Sequence, residues 1–217
     1  MCKLQTGTLM KILLVDDHAM IRQGLVLLLR QTYPSAEITE QNDANKLRDE
    51  LLSKSFDIVI TDLFMPGPPV IEIIKQVRDT GNKVPIIILS MSLPERNAVR
   101  VIRAGANGYL SKDTVPEELI KAMQFVLQGR KYITPEIASL LADAYLNDTE
   151  KKPHETLSDR EFEVFQMLAQ GKTVTQIAES LHVSINTIST YKSRILDKMN
   201  FQSFADIIKY AHTNNLI

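Results

Sequence analysis

Three carboxylates, one hydroxyl and one ammonium stand where a chain of this pattern presents its reactive groups. Asp62 follows the run Ile58-Val59-Ile60-Thr61 and precedes Leu63-Phe64-Met65-Pro66-Gly67. A run of apolar and β-branched residues of this kind reads as a buried parallel strand, and the Pro-Gly pair breaks the chain just past it. Asp16 and Asp17 close Lys11-Ile12-Leu13-Leu14-Val15 in the same way. Ser90 ends Pro85-Ile86-Ile87-Ile88-Leu89, and Lys112 follows Gly108-Tyr109-Leu110-Ser111. Open α/β sheets bind ligands outside the carboxyl ends of their strands. An aspartate there is placed for chemistry, not packing. If these strands are neighbours, the five groups meet at one mouth, with acidic oxygens gathered around one lysine.

The intervening segments supply what such a mouth requires. Apolar residues recur at helical spacing over Met20 to Gln31, Ala44 to Ser53, about Val70 to Asp79, Pro94 to Ala104 and Thr114 to Gln128. The last has Thr114 and Glu117 at capping-box spacing. Glu37 to Glu40 is a short second strand with a weak apolar signal. Five strand–helix units with right-handed crossovers predict an α/β, flavodoxin-like doubly wound (βα)5 unit over residues 10–130. Residues 131–154 read as a linker with a short helix, Pro135 to Tyr145, followed by a polar stretch containing Pro153. Past Pro153 the strand signals vanish. Ser158/Glu161 and Thr173/Gln176 are capping boxes, Ser184 and Ser203 cap two further helices, and Asn200 suits a left-handed C-cap. Residues 155–217 therefore predict a separate all-α domain of four helices, with the tight turn of a helix-turn-helix between the second and third.

Composition excludes some classes. The 217 residues carry a net charge of −1, so nothing global announces a nucleic-acid or membrane partner. Cys2 is the sole cysteine, which rules out an internal disulfide and suits a reducing compartment. No apolar run approaches the ~18 residues that span a bilayer, and residues 1–9 lack the apolar core of a signal peptide. The expected location is the cytoplasm, without a membrane partner.

Asp16-Asp17, Asp62 with Met65-Pro66-Gly67, Ser90 and Lys112 together resemble the receiver domain of two-component response regulators. The resemblance implies that Asp62 accepts a phosphoryl group from the phosphohistidine of a sensor histidine kinase. It implies Mg2+ as cofactor, held by Asp17, Asp62 and the Phe64 backbone carbonyl, with Asp16 acting through water; a hard cation suits such oxygens. Lys112 would meet the phosphoryl oxygens, Ser90 would hydrogen-bond one of them, and Tyr109 would fill the space that Ser90 leaves. The chain departs from the family at several positions. Met91 stands where a small residue is usual, and with Phe64 it predicts a phosphoryl-aspartate shielded from water. Pro68-Pro69 stiffens the loop after Gly67. Asp113 replaces a proline, and a cis peptide there would cost about 3–4 kcal/mol, so none is predicted.

The second half also resembles a known family. Leu157-Ser158-Asp159-Arg160-Glu161 with Val164, Ala169 to Lys172, Ile177-Ala178, Leu181, Val183-Ser184, Thr187-Ile188 and Lys198-Met199 are similar to the NarL/LuxR-type DNA-binding domain. The order of the two halves resembles a NarL-type transcriptional response regulator, not an enzyme. Its third helix, Ile185 to Met199, would enter the major groove. Spacing turns Ile188, Ile195 and Met199 inward and Asn186, Ser189, Thr190, Lys192 and Ser193 outward, where they can reach base edges. Lys172, Lys192, Arg194 and Lys198, with Thr187, are the expected phosphate contacts. From Glu155 onward there are six basic and seven acidic side chains. A monomer should therefore hold double-stranded promoter DNA weakly, and the phosphorylated protein is expected to act as a homodimer. The last helix would pair the domains through Phe204, Ile207, Ile208 and Ala211, with RNA polymerase a possible further partner. The unphosphorylated receiver is expected to pack over Ile185 to Met199.

Two rival readings exist. A phosphatase of the haloacid dehalogenase type carries a second Asp two residues after its nucleophile, where this chain has Phe64. An atypical regulator controlled by protein contacts, without phosphorylation, would have no use for the intact acidic set.

Overall fold

The computed structural model describes residues 9–91, 94–113, 116–146, 152–214 and 216–217. Cys2, Thr114 of the expected Thr114/Glu117 capping box, and residues 147–151 of the polar linker lie outside them. Near-continuous apolar strands are stable only where helices cover both of their faces, and that is how this sheet is built. β1 (Lys11–Val15), β2 (Glu37–Gln41), β3 (Ile58–Asp62), β4 (Ile86–Ser90) and β5 (Gly108–Ser111) pair in parallel in the order β2-β1-β3-β4-β5. Alternate residues point to opposite sides. Leu13, Val15, Val59, Ile86 and Ile88 enter one core, beneath α2 (Ala44–Ser53), α3 (Val70–Asp79) and α4 (Pro94–Ala104). Ile12, Leu14, Ile58, Ile60, Ile87 and Leu89 enter the other, beneath α1 (Ala19–Thr32) and α5 (Pro116–Leu127). β2 lies at the sheet edge and none of its residues is fully buried, which explains its weak apolar signal.

The register levels the strand tips. Val15 lies opposite Thr61, Asp62 opposite Leu89, and Ser90 opposite Ser111. The residues that end β1, β3, β4 and β5 therefore open on one rim. Gly67 turns the chain away from β3 at φ +111°, where an added Cβ would lie 3.0 Å from the Asn45 side chain and 3.2 Å from that of Ala44. No described peptide bond is cis, including that before Asp113.

The segment after α5 is more closely tied to the sheet than a linker would be. Tyr132 bridges to Gly108, and α6 (Pro135–Leu146) packs on α4 with Ile137 buried in the core beneath α3 and α4. No described helix is long and apolar enough to cross a membrane.

The remaining helices form a second unit: α7 (Asp159–Ala169), α8 (Val174–Leu181), α9 (Ile185–Met199) and α10 (Phe204–Thr213), preceded by a 3-10 turn, Pro153–Thr156. Capping boxes begin α7, α8 and α10, and the Ser184 hydroxyl accepts from Thr187 N at the start of α9. α8 and α9 end on His182 and Asn200, both left-handed at φ 53° and 54°. Ile177, Ile188, Ile195 and Ile207 meet Val164 and Phe165 in the core. His154, buried in the 3-10 turn, bonds the Tyr210 hydroxyl through Nδ1 at 2.8 Å and packs against Phe162, fastening the entry segment to α7 and α10.

Candidate functional site

The rim where the strand tips meet is acidic and held by one cation. Asp62 is 4% exposed, and its Oδ2 lies 2.5 Å from the Lys112 ammonium. The same nitrogen is 2.8 Å from Asp16 Oδ2. The other Asp62 oxygen accepts from the backbone N–H of Leu63 (2.6 Å) and Phe64 (3.3 Å). Asp16 Oδ1 accepts from the His18 backbone N–H at 2.8 Å. Lys112 is carried here by β5, whose pairing continues as Lys112 N–H donates to the Ser90 carbonyl at 2.9 Å. Burial pushes the Asp62 carboxyl up to about 6, against the opposing pull of Lys112. Desolvation thus exceeds what one lysine shared between two carboxylates returns.

Ser90 is fully buried at the tip of β4, and Tyr109 is 1% exposed in the neighbouring strand. The Tyr109 hydroxyl faces Ser90 and Asn97, and burial raises it to about 12. Asn97 is itself buried on α4. The Tyr109 hydroxyl therefore lies between the tip of β4 and the helix on which α6 rests.

His18 is a member of the site that the sequence pattern did not reveal. Its Nδ1 lies 2.8 Å from Asp17, 3.3 Å from Asp16 and 3.9 Å from Asp62. It follows two carboxylates directly and stands just before α1, where it reads as an ordinary residue at a helix start. One ligand atom each from Asp16, Asp17, His18 and Asp62 lie within 4.8 Å of one another. Three carboxylates at this spacing with an exposed member, Asp17, suit a hard, partly hydrated divalent cation.

The helical unit sits over this rim. Asp159, at the start of α7, is gripped from two helices of the sheet unit: Arg100 of α4 reaches Oδ1 at 2.9 Å and Lys75 of α3 reaches Oδ2 at 2.7 Å. Arg100 also donates to the Leu157 carbonyl at 2.7 Å and lies 4.5 Å over the Phe162 ring. Every residue from Arg160 to Ala169 is buried, because α7 has its own domain on one side and the sheet unit on the other. A cavity of about 460 Å3 remains between the units, lined on one side by Asp17, Asp62, Phe64 and Met91 and on the other by Glu163, Gln166 and His182.

This arrangement corrects one expectation. The sheet unit covers α7 and part of α8, not the third helix: Asn186, Ser189, Thr190, Ser193 and Arg194 on α9 are all exposed. Ile188, Ile195 and Met199 are buried, as the helical period predicts. The other basic groups are partly engaged. Lys172 lines the cavity, Lys192 lies 5.3 Å over the Phe204 ring, and Lys198 pairs with Glu161 at 2.6 Å. Thr187 bonds the Ser184 hydroxyl at 2.8 Å. A second correction concerns α10. Ile207 and Ala211 are fully buried in the domain's own core and cannot face a partner. Phe204 and Ile208 remain partly exposed.

Glu163 adds a pH dependence to the docking. It is buried on α7 with Arg160 at 2.7 Å, and burial pushes its carboxyl up to about 7 despite that partner, with Asp62 and Glu72 adding to the rise. Undocked, the side chain meets water and returns toward the ordinary 4.5. Between these values the docked form binds the extra proton, so docking is strongest at the acid end and weakens as pH rises through the window. Small-angle scattering from about pH 5 to about pH 8 should show the radius of gyration growing. Glu163→Gln should flatten that trend; an unchanged slope in the variant would remove Glu163 as its cause.

A doubly wound sheet with this rim, joined to a helix-turn-helix unit, defines a receiver coupled to a DNA-binding domain. The response regulator receiver domain matches residues 12–124, and the bacterial regulatory proteins of the luxR family match residues 155–211. The chain belongs to the NarL/LuxR-type response regulators, the DNA-binding transcriptional regulators of two-component systems. It is 30% identical to the oxygen regulatory protein NreC of Staphylococcus carnosus, with 96% of this chain and 99% of the relative covered. It is also 30% identical to the transcriptional regulatory protein LiaR of Bacillus subtilis, covering 96% and 100%. Among solved structures it resembles RcsB of Salmonella enterica serovar Typhimurium bound to promoter rprA with the phosphomimetic BeF3−. That match has a TM-score of 0.61 and 26% identity, over 94% of this chain and 98% of that one.

Proposed function

We propose that Asp62 is the phosphoacceptor through which a sensor histidine kinase controls promoter binding by this protein. The observation that carries the reading is the convergence of Asp16, Asp17 and Asp62 on one rim with the Lys112 ammonium 2.5 Å from the acceptor. An Asp62 oxygen attacks phosphorus, the bond from phosphorus to the donor's imidazole nitrogen breaks, and Lys112 stays beside the transferred oxygens. Asp17, Asp62 and the Phe64 carbonyl would hold Mg2+, with Asp16 through water. Once bound, that ion supplies the positive charge that lets a polyanion approach a carboxylate. Ser90 then turns toward the phosphoryl group, Tyr109 follows it, and α4 shifts through Asn97. The domain division at 10–130, 131–154 and 155–217 belongs to this reading, with the qualification that α6 moves with the sheet unit.

On the DNA side, the exposed Asn186, Ser189, Thr190 and Ser193 read bases, while Arg194, Lys192, Lys198 and Lys172 meet phosphates. The near-neutral charge of the domain supports binding as a homodimer. The solved RcsB complexes, which hold promoter DNA in the presence of a phosphomimetic, support promoter binding by the phosphorylated form here. The protein would act in the cytoplasm. Incubation with acetyl phosphate and Mg2+ tests the reading: one phosphoryl group should appear on the intact mass and map to Asp62. Failure to acquire it would favour control by protein contacts alone.

Phe64 lines the cavity beside Asp62 and is half-buried, whereas Met91 is 62% exposed and shields little. Phe64→Asn is therefore expected to shorten the phosphoryl half-life by about tenfold, equivalent to about 1.4 kcal/mol off the hydrolysis barrier, and Met91→Ala to change it less. Timed Phos-tag gels measure both; an unchanged half-life in Phe64→Asn would retire the shielding idea.

A further inference from the structure

The docked helical domain leaves its reading face open and roofs the acceptor instead. Asn186, Ser189, Thr190, Ser193 and Arg194 are exposed, while Asp62 lies at 4% exposure beneath α7. What docking withholds is thus access to the carboxylate. The space that remains has a definite size. The cavity between Asp62 and the roof, formed by Glu163, Gln166 and His182, is about 460 Å3. An acyl phosphate of a short carboxylic acid has fewer than about ten heavy atoms and occupies on the order of 200 Å3, taking a water's share of volume as an upper scale for each atom. A histidine presented by a protein arrives on a helix about 10–12 Å across, and even two turns of it fill roughly 1,000 Å3. The first fits and the second does not.

We propose that, with the domains docked, Asp62 accepts phosphoryl groups from small acyl phosphates but not from a phosphohistidine-bearing protein. The clamp of Arg100 and Lys75 on Asp159 sets how often the roof lifts. The proposal rests on the reading of Asp62 as phosphoacceptor. In the docked form, an Asp62 oxygen attacks phosphorus, the bond from phosphorus to the acyl oxygen breaks, and the carboxylate leaves with the electron pair. No proton or further reactant is required. A protein donor loses a phosphorus–nitrogen bond instead, and only after the clamp opens. The clamp is also connected to the acceptor. Arg100 lies one turn along α4 from Asn97, which the Tyr109 hydroxyl faces, so a shift of Ser90 and Tyr109 reaches Arg100 through a single helix.

Access can be measured without a kinase. In full-length Cys2→Ser, Asp62→Cys protein, N-ethylmaleimide and a polyethylene-glycol maleimide of several kilodaltons attack the same thiol by the same chemistry. Relative to urea-unfolded protein, the bulky reagent should lag the small one by about tenfold or more, and Arg100→Ala with Lys75→Ala should abolish most of that lag, since charged hydrogen bonds of this kind each shift an opening equilibrium by about tenfold. Equal native and unfolded ratios, or a lag untouched by the double substitution, would overturn the proposal. Phe64→Cys, on the same cavity with Asp62 intact, repeats the test should Asp62→Cys disturb the rim. Acetyl phosphate with Mg2+ on the wild-type chain forms the separate arm: no phosphoryl uptake there would sink the phosphoacceptor reading while leaving the labelling result standing.

Discussion

Asp62→Asn should take up no phosphoryl group from acetyl phosphate, from a kinase or from any other donor, and its DNA affinity should not respond to phosphodonors. An amide oxygen is a poor nucleophile toward phosphorus, and no other carboxylate on the rim is placed like Asp62. Asp16 is tied to Lys112 and to the His18 N–H, and Asp17 lies at the exposed edge. The fold should survive the change. Lys112 keeps Asp16 at 2.8 Å, and the buried carboxyl removed is one whose ionised form burial disfavours. A stability change within about 1–2 kcal/mol is expected, as for substitutions that leave no buried charge unpaired. Mass spectrometry and a urea melt on the same preparation separate lost chemistry from lost structure. Phosphoryl uptake by the variant at another residue would move the acceptor away from β3.

Lys112→Met should produce the largest loss of stability of any single change at the rim. It leaves Asp16 and Asp62, 1% and 4% exposed, without their shared cation. Removing one partner of a buried ion pair typically costs about 3–5 kcal/mol. The loss should depend on pH in a definite direction. Even with Lys112 present, Asp62 sits at about 6, and without it the carboxyl must rise further. A folded-state pKa raised above the unfolded value means the native form of the variant holds an extra proton, so its stability falls as pH rises through that range. Near pH 5 the Asp62 carboxyl is largely neutral and the deficit relative to wild type is smallest; near pH 8 it is full. Urea midpoints at the two pH values test this, and an equal deficit at both would show that the lysine acts by packing alone. Phosphoryl uptake should fall in the same variant, since its counter-charge is gone.

Much of this site is legible in the amino-acid sequence alone. The strands show as apolar runs because helices cover both of their faces, and each run carries its reactive residue at the tip where the chain leaves the sheet. Caps at Ser158, Thr173, Ser184 and Asn200 are legible because each is a local exchange of hydrogen bonds over three or four residues. What stays hidden depends on distance along the chain. Asp159 meets Arg100 and Lys75 across 59 and 84 residues, and no periodicity encodes such a pairing. α7 shows the reason most plainly. Glu163 and Gln166 sit on what reads as its solvent face, yet both are buried beneath the sheet unit. Ile207 and Ala211 read as a partner surface because α10 has more apolar residues than a surface helix needs, whereas the domain is small enough to use both in its core. His18 escapes notice because a residue between an acidic pair and a helix has an ordinary local role available.

The most direct test of phosphorylation control is the affinity of the full-length protein for a sequence selected from a random DNA pool, measured with and without acetyl phosphate and Mg2+. Binding should tighten on phosphorylation, with a midpoint that depends on dimer formation. Equal affinity in both states, with phosphoryl uptake at Asp62 verified in the same samples, would contradict it.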